Sequence, residues 1–167
     1  GNHPGTKRRF VGGDDPFVPE GKKVSFYGRP GGKALIHMRP YQPAPEAPTQ
    51  EYPMILTTGR VLEQWHSGTI TDRIVELHDT SGRGQVRVNP ADARRLGIRK
   101  GDTVRLQSRF GSMTIRAVID PAPRIGVAWA SFFDAKVLIN RVVADHVDPM
   151  SRQPEYKVTA VRLSKVT

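Results

Sequence analysis

The sequence predicts a mainly β chain with short helices, folded as a small closed barrel. Short apolar runs of strand length recur between residues 54 and 163. Two of them lie on either side of Arg109-Phe110-Gly111: Thr103–Gln107 alternates apolar and polar residues, and Ser112–Ile119 returns with every second residue apolar. That period of two marks a half-buried antiparallel pair. Only the stretch after Asn89 carries full helix punctuation.

Residues 1–21 are rich in Gly, Asp, Pro and Lys, hold no hydrophobic period, and read as an irregular arm. Lys23 to Tyr27 and Lys33 to Met38 suit a hairpin, with Gly28-Arg29-Pro30-Gly31-Gly32 as its turn. Five prolines between Pro40 and Pro53 favour an extended connector. The division expected is therefore 1–51 for arm, hairpin and Pro-rich connector, and 52–167 for the barrel. Within the barrel, Met54-Ile55-Leu56-Thr57-Thr58 is a strand ended by Gly59, and Gln85 to Val88 is a second. Asn89 caps a helix, Pro90 suits its first position, Asp92 complements its positive end and Gly97 stops it. Ala93 and Leu96 would face the core. Lys100-Gly101-Asp102 turns into Thr103–Gln107, whose Val104 and Leu106 share one face. Met113, Ile115, Ala117 and Ile119 share a face of the returning strand. Val127-Ala128-Trp129 and Val158 to Leu163 complete the set, with Val161 and Leu163 inward.

The chain has 167 residues, enough for one domain with a real core. It has no cysteine, which excludes disulfides, thiolate metal sites and iron–sulfur ligation within it. No apolar run approaches the ~20 residues of a membrane span. The net charge of +10 favours an anionic partner. The basic residues are scattered rather than run together, which suits a pyrophosphate cofactor or an oxyanion better than nucleic acid.

Most catalytic signatures are missing. Gly28 to Lys33 fails as a phosphate loop, because Tyr27 stands where its first glycine is needed and Ala34 replaces the hydroxyl residue. The five histidines form no i, i+4 pair, and no Gly-x-Ser-x-Gly elbow occurs. Thr57 to Gly68 differs. An apolar strand ends in glycine, and Arg60, Trp65, His66 and Ser67 follow densely. A guanidinium fork, a flat indole and short hydroxyls suit a phosphorylated heteroaromatic ligand at the mouth of a sheet. The competing reading buries Trp65 for packing and pairs Arg60 with Glu63. Of the adjacent Phe132 and Phe133, one can fill the core while the other lines a pocket. Asn140 is a cap or a ligand contact, and Lys157 by chemistry alone is an exposed strand-edge lysine.

These motifs converge on a family. Thr58-Gly59-Arg60-Val61-Leu62-Glu63-Gln64-Trp65-His66-Ser67-Gly68 resembles the cofactor signature in the last domain of molybdopterin oxidoreductases, nearest to the periplasmic nitrate reductases. Asn89 to Ala93, Leu96 to Asp102, Ser108 to Gly111, Phe132 to Ala135, Leu138 to Asn140 and Asp148 to Ser151 agree in the same order. So do Phe26 to Gly28 and Ala34 to Tyr41 upstream. Gln64 stands where relatives often carry histidine, and Asp72 precedes Arg73 in a usually basic region. The resemblance implies a double-psi β-barrel closing over bis-molybdopterin guanine dinucleotide, as the C-terminal part of a nitrate reductase. It implies cofactor contacts at Thr58, Gly59, Arg60, Val61, Leu62, Glu63, Gln64, Trp65, His66, Ser67, Asn140 and Lys157, with Phe132 near the substrate. Metal ligands and the iron–sulfur cluster would belong to preceding domains, electrons would come from a partner such as a cytochrome, and the parent enzyme would be periplasmic. No specific nucleic acid and no membrane span are expected. The alternatives are a stand-alone β-barrel that binds nucleotide or nucleic acid, and the same domain of another molybdopterin enzyme such as formate dehydrogenase.

Overall fold

The computed structural model describes residues 38, 40–149 and 151–166. The arm and the hairpin expected at Lys23–Tyr27 and Lys33–Met38 lie outside this range, Met38 apart. The chain divides into two compact units, Gly1–Gln42 and Pro43–Thr167, and the second contains every strand and helix described below.

Six strands close into a barrel: β1 (Met54–Gly59), β2 (Gln85–Val88), β3 (Thr103–Gln107), β4 (Ser112–Ile119), β5 (Val127–Ser131) and β6 (Thr159–Lys165). Around the barrel the order is β1-β5-β2-β4-β3-β6. The β1·β5 and β2·β4 pairs are parallel and the other neighbours antiparallel. This is the expected double-psi β-barrel. Every strand predicted between residues 54 and 163 forms, β5 running on to Ser131 and β6 from Thr159 to Lys165.

Alternation explains the closure. Met54 and Leu56, Val86 and Val88, Val104 and Leu106, Ile115 and Ala117, and Val161 and Leu163 all point inward and are buried. Burying each large side chain stabilises the barrel by roughly 1.5–3 kcal/mol. On β5 the inward positions are Ala128 and Ala130, small enough to let the larger residues of facing strands fill the lumen.

The expected helix is α2 (Pro90–Arg95), with the Asn89 side chain accepting from the Ala91 amide at 2.9 Å and Pro90 in its first turn. Gly97 follows with φ +66°. Asp92 does more than complement a helix end. Its buried carboxylate accepts from the Gly126 amide at 2.7 Å and from Arg95 at 2.8 Å, tying the helix to the start of β5. Three further elements carry no sequence punctuation: a 3-10 turn at Thr71–Arg73, α1 (Val75–Ser81) and a 3-10 turn at Ile139–Arg141. None of them has a side-chain N-cap bond.

The Pro-rich connector has one deeply placed residue. Glu46 is 1% exposed, and its Oε1 takes an ion pair from Arg109 with His146 Nε2 at 3.5 Å. Thr49 and Tyr52 then close a turn, and buried Tyr52 leads into β1. Among the described residues no helix is long and apolar enough to cross a membrane.

Candidate functional site

Topology gathers the singled-out residues at one end of the barrel. Because β1 and β5 are parallel, with Gly59 opposite Ser131, both strands deliver their following loops to the same mouth. Those loops are residues 60–74 and 132–138. β6 runs antiparallel to β1, its Thr159 opposite Leu56, so the segment entering it, with Tyr156 and Lys157, arrives there too. β2 is antiparallel to β5, which places Gly84 beside Asp134 and Val137.

Thr58 is the last buried residue of β1, at 3% exposure. Its amide at 3.3 Å and its hydroxyl at 2.9 Å both donate to the Tyr156 carbonyl. Its own carbonyl accepts from Lys157 Nζ at 2.5 Å. Gly59 follows because the Trp129 ring lies against it: a Cβ there would stand 2.5 Å from Trp129 Nε1. Trp129 is in turn covered by the Arg87 guanidinium, 4.9 Å from the ring centroid, and Arg87 donates to Asp120 at 3.0 Å. An open cleft of about 320 Å³ runs beside this stack, lined by Thr57, Arg87, Trp129 and the loop at Ala122-Pro123.

The loop then turns on itself. Thr71 Oγ1 accepts from the Trp65 amide at 3.0 Å and donates to Gln64 Oε1 at 2.7 Å. Gln64 is therefore buried, and its Nε2 has no partner among the described residues. Gly68 takes φ +76° with the Phe133 carbonyl and the Gln64 side chain pressed against it. His66 has φ +50°, a left-handed conformation that few non-glycine residues adopt.

This fold throws the chemistry outward. Trp65 is 69% exposed and Leu62 is 97% exposed, so Trp65 is not the packing residue of the competing reading. Arg60 is exposed and faces His66 rather than Glu63, its NH2 3.4 Å from His66 Nδ1. Arginine only donates, so this contact assigns the acceptor role to Nδ1 and leaves Nε2 facing away from Arg60. The Trp65 and His66 rings meet edge to face at 4.8 Å. Ser67 and Thr69 hydroxyls lie 2.9 Å apart at the surface. Three nearby carboxylates have partners: Asp72 pairs with Arg83, Asp134 accepts from the Lys136 amide, and Glu155 accepts from the Lys157 amide. Arg60 and the exposed rings of Trp65 and His66 are thus among the groups the loop offers a ligand.

The remaining singled-out residues divide. Phe133 is buried, with its carbonyl against the loop at Gly68, and Phe132 is partly buried against the core. Asn140 is exposed in the middle of its 3-10 turn, so it is not the N-cap, which is Leu138. Lys157 is exposed but reaches Thr58. Thr71, which organises the loop, was not singled out by sequence. A hydroxyl residue opening a short polar turn was its only signal. Among the described residues no group of three His, Asp or Glu could hold a metal ion.

Residues 54–160 match the family described as Molydopterin dinucleotide binding domain. A periplasmic nitrate reductase of Desulfovibrio desulfuricans is 42% identical over 166 residues, which is 98% of this chain and 22% of that protein. The chain thus spans about a fifth of that relative's length. Acetylene hydratase from Pelobacter acetylenicus shares the fold at TM-score 0.61 and 18% identity, over 70% of this chain and 19% of that one.

Proposed function

The chain belongs to the molydopterin dinucleotide binding domain family, and from that premise we propose that it is the C-terminal, cofactor-capping part of a molybdenum-dependent nitrate reductase. Residues 52–167 form the cofactor-binding domain in this reading, and residues 1–51 lead in from the preceding domain. The ligand is bis-molybdopterin guanine dinucleotide. One observation carries the reading: a loop folded around buried Gln64 and Thr71 presents Arg60, Trp65 and His66 outward at the barrel mouth.

The residues fit such a group. Its diphosphates need charged and N–H donors, which Arg60, His66 Nε2 and Ser67 supply. Its planar ring systems need a flat partner, which exposed Trp65 supplies. The run from Thr58 to Ser67, with Asn140 and Lys157, surrounds it, and Phe132 stands toward the substrate. When bound, the cofactor supplies the molybdenum chemistry that converts nitrate to nitrite and water with two electrons and two protons. This chain's residues bind and orient it and keep water from its buried edge. The +10 net charge draws in both the dinucleotide and the anionic substrate. The name of the 42% identical relative supports nitrate as substrate and the periplasm as location. The other domains of the parent protein, and a cytochrome donor, supply the metal's remaining ligands and the electrons. This chain alone is not expected to turn over.

Arg60→Ala in the parent enzyme tests the assignment. Losing a charge-assisted contact worth roughly 1.5–3 kcal/mol should lower molybdenum per folded molecule at least about tenfold under dilution. The thermal midpoint should barely move, because an exposed arginine contributes about 0.5 kcal/mol or less to folding. A sharp fall in midpoint with constant molybdenum content would make Arg60 structural and sink the reading.

A further inference from the structure

We propose that Lys157 is a positioning residue: its ammonium fixes the Thr58 carbonyl and so sets where the Gly59–Ser67 loop leaves the barrel. The inference rests on the proposed function for why the loop matters, but not for how it is held.

The two ladders of β1 end at different residues. Antiparallel pairing of β1 with β6 ends at Leu56 opposite Thr159, whereas pairing with β5 continues to Gly59 opposite Ser131. Thr58 therefore has strand pairing on its β5 side and none on its β6 side. Its amide points to that vacated side, where the Tyr156 carbonyl accepts it. Its carbonyl points there too and is in a buried residue, so it needs a donor. A continuing β6 would offer a backbone N–H. Lys157 offers its side chain instead, at 2.5 Å, while its own amide is occupied by Glu155 Oε1 at 2.9 Å.

The segment behind Lys157 is itself braced. Val147 bridges to Pro154, the Asp148 amide donates to the Gln153 carbonyl, and the Glu155 amide donates to the His146 carbonyl at 2.9 Å. His146 in turn faces buried Glu46. The ammonium is thus delivered from a fixed base. On the other flank Trp129 presses on Gly59. Between these two supports the first loop residue, Arg60, has little freedom in its Cα position. A water molecule could satisfy the same carbonyl, but only a tethered donor also fixes its direction.

The test compares Lys157→Met, which keeps the aliphatic stem, with Lys157→Arg, which keeps a donor, in the full chain. Hydrogen exchange is followed in peptides covering residues 57–68, with β3 and β4 peptides as controls. Lys157→Met should speed exchange in 57–68 by roughly three- to tenfold, below the usual range of a charge-assisted bond because the ammonium is solvent-exposed. The controls should stay unchanged, and Lys157→Arg should restore slow exchange. Guanosine diphosphate, titrated by Trp fluorescence, should bind more weakly to Lys157→Met in proportion. Unchanged exchange in Lys157→Met would overturn the proposal. So would weakened binding with unchanged exchange, which would make Lys157 a direct contact only. Failure of the wild-type chain to bind the probe would count against the cofactor reading, while the exchange result would still decide the role of Lys157.

Discussion

Arg109→Met should be among the most destabilising substitutions of an exposed residue in this chain. Arg109 is about half exposed, at 55%, yet it neutralises Glu46, whose side chain is 0% exposed. Glu46 Oε2 has no hydrogen-bond partner among the described residues, so the carboxylate depends on Arg109 and on His146 at 3.5 Å. Removing one member of a fully buried pair costs about 3–5 kcal/mol. Here water reaches the arginine side and can partly solvate the remaining charge, so ~2–3 kcal/mol is expected. For a domain of this size that is a fall of roughly 8–12 °C in thermal midpoint. Glu46→Gln removes the charge, keeps an acceptor for Arg109, and should cost only about 1 kcal/mol. In the double variant Arg109→Met adds less than it does alone, because no buried charge is stranded. Urea and thermal denaturation of the four proteins provide the cycle. Arg109→Met within ~0.5 kcal/mol of wild type, or equally costly in the Glu46→Gln background, would refute the anchoring role of Arg109.

Gly59→Ala drives a Cβ to 2.5 Å from Trp129 Nε1, so it should destabilise by roughly 1–3 kcal/mol and shift the near-ultraviolet tryptophan signal. An unchanged midpoint and spectrum would mean that Trp129 does not pin the loop. Asp102 has its carboxyl held below the usual range, first by the hydrogen bond from Lys165 and then by the Arg99 amide. A depressed carboxylate contributes stability above its unfolded value, about 3.8, that is lost as pH falls through the lower folded value. Asp102→Asn should therefore be less stable at neutral pH and should flatten the acid limb of the stability curve. A parallel acid limb would show that the ion pair is inert.

The barrel was legible because inward and outward residues alternate in β3 and over residues 112–117 of β4, as a half-buried strand of a closed sheet requires. The helix after Asn89 was legible because its cap, proline and stop glycine lie within nine residues of each other. By contrast, α1 starts at Val75 after Ile74 with no side-chain cap, so nothing local announced it. The site's residue types were readable, but its internal order was not. Glu46 lies in the stretch read as an extended connector, and nothing local marks it as buried because its partner Arg109 is 63 residues away. Lys157 looked like an edge lysine because Thr58 is 99 residues away. Local chemistry cannot report bonds that only the closed topology creates. Trp65 was ambiguous for the same reason. Its exposure follows from Thr71 folding the loop beneath it, not from its neighbours in sequence.

The placement of β1 also bears on how the chain reaches this state. Both neighbours of β1 come from the far part of the sequence, Val127–Ser131 and Thr159–Lys165. During synthesis the strand carrying the motif therefore emerges early and waits unpaired until the final strand is made, several seconds at ~5–20 residues per second. Contacts of such long sequence separation are intrinsically slow to form. The segment Met54-Ile55-Leu56 is a bare apolar edge throughout that interval, exposed to mispairing. Thr58 has no partner for its carbonyl until Lys157 exists. Deleting β6 should thus leave the loop after Gly59 unformed and β1 prone to aggregation, although every residue of the loop is present. Closure of this mouth therefore has to await β6, whichever ligand it takes.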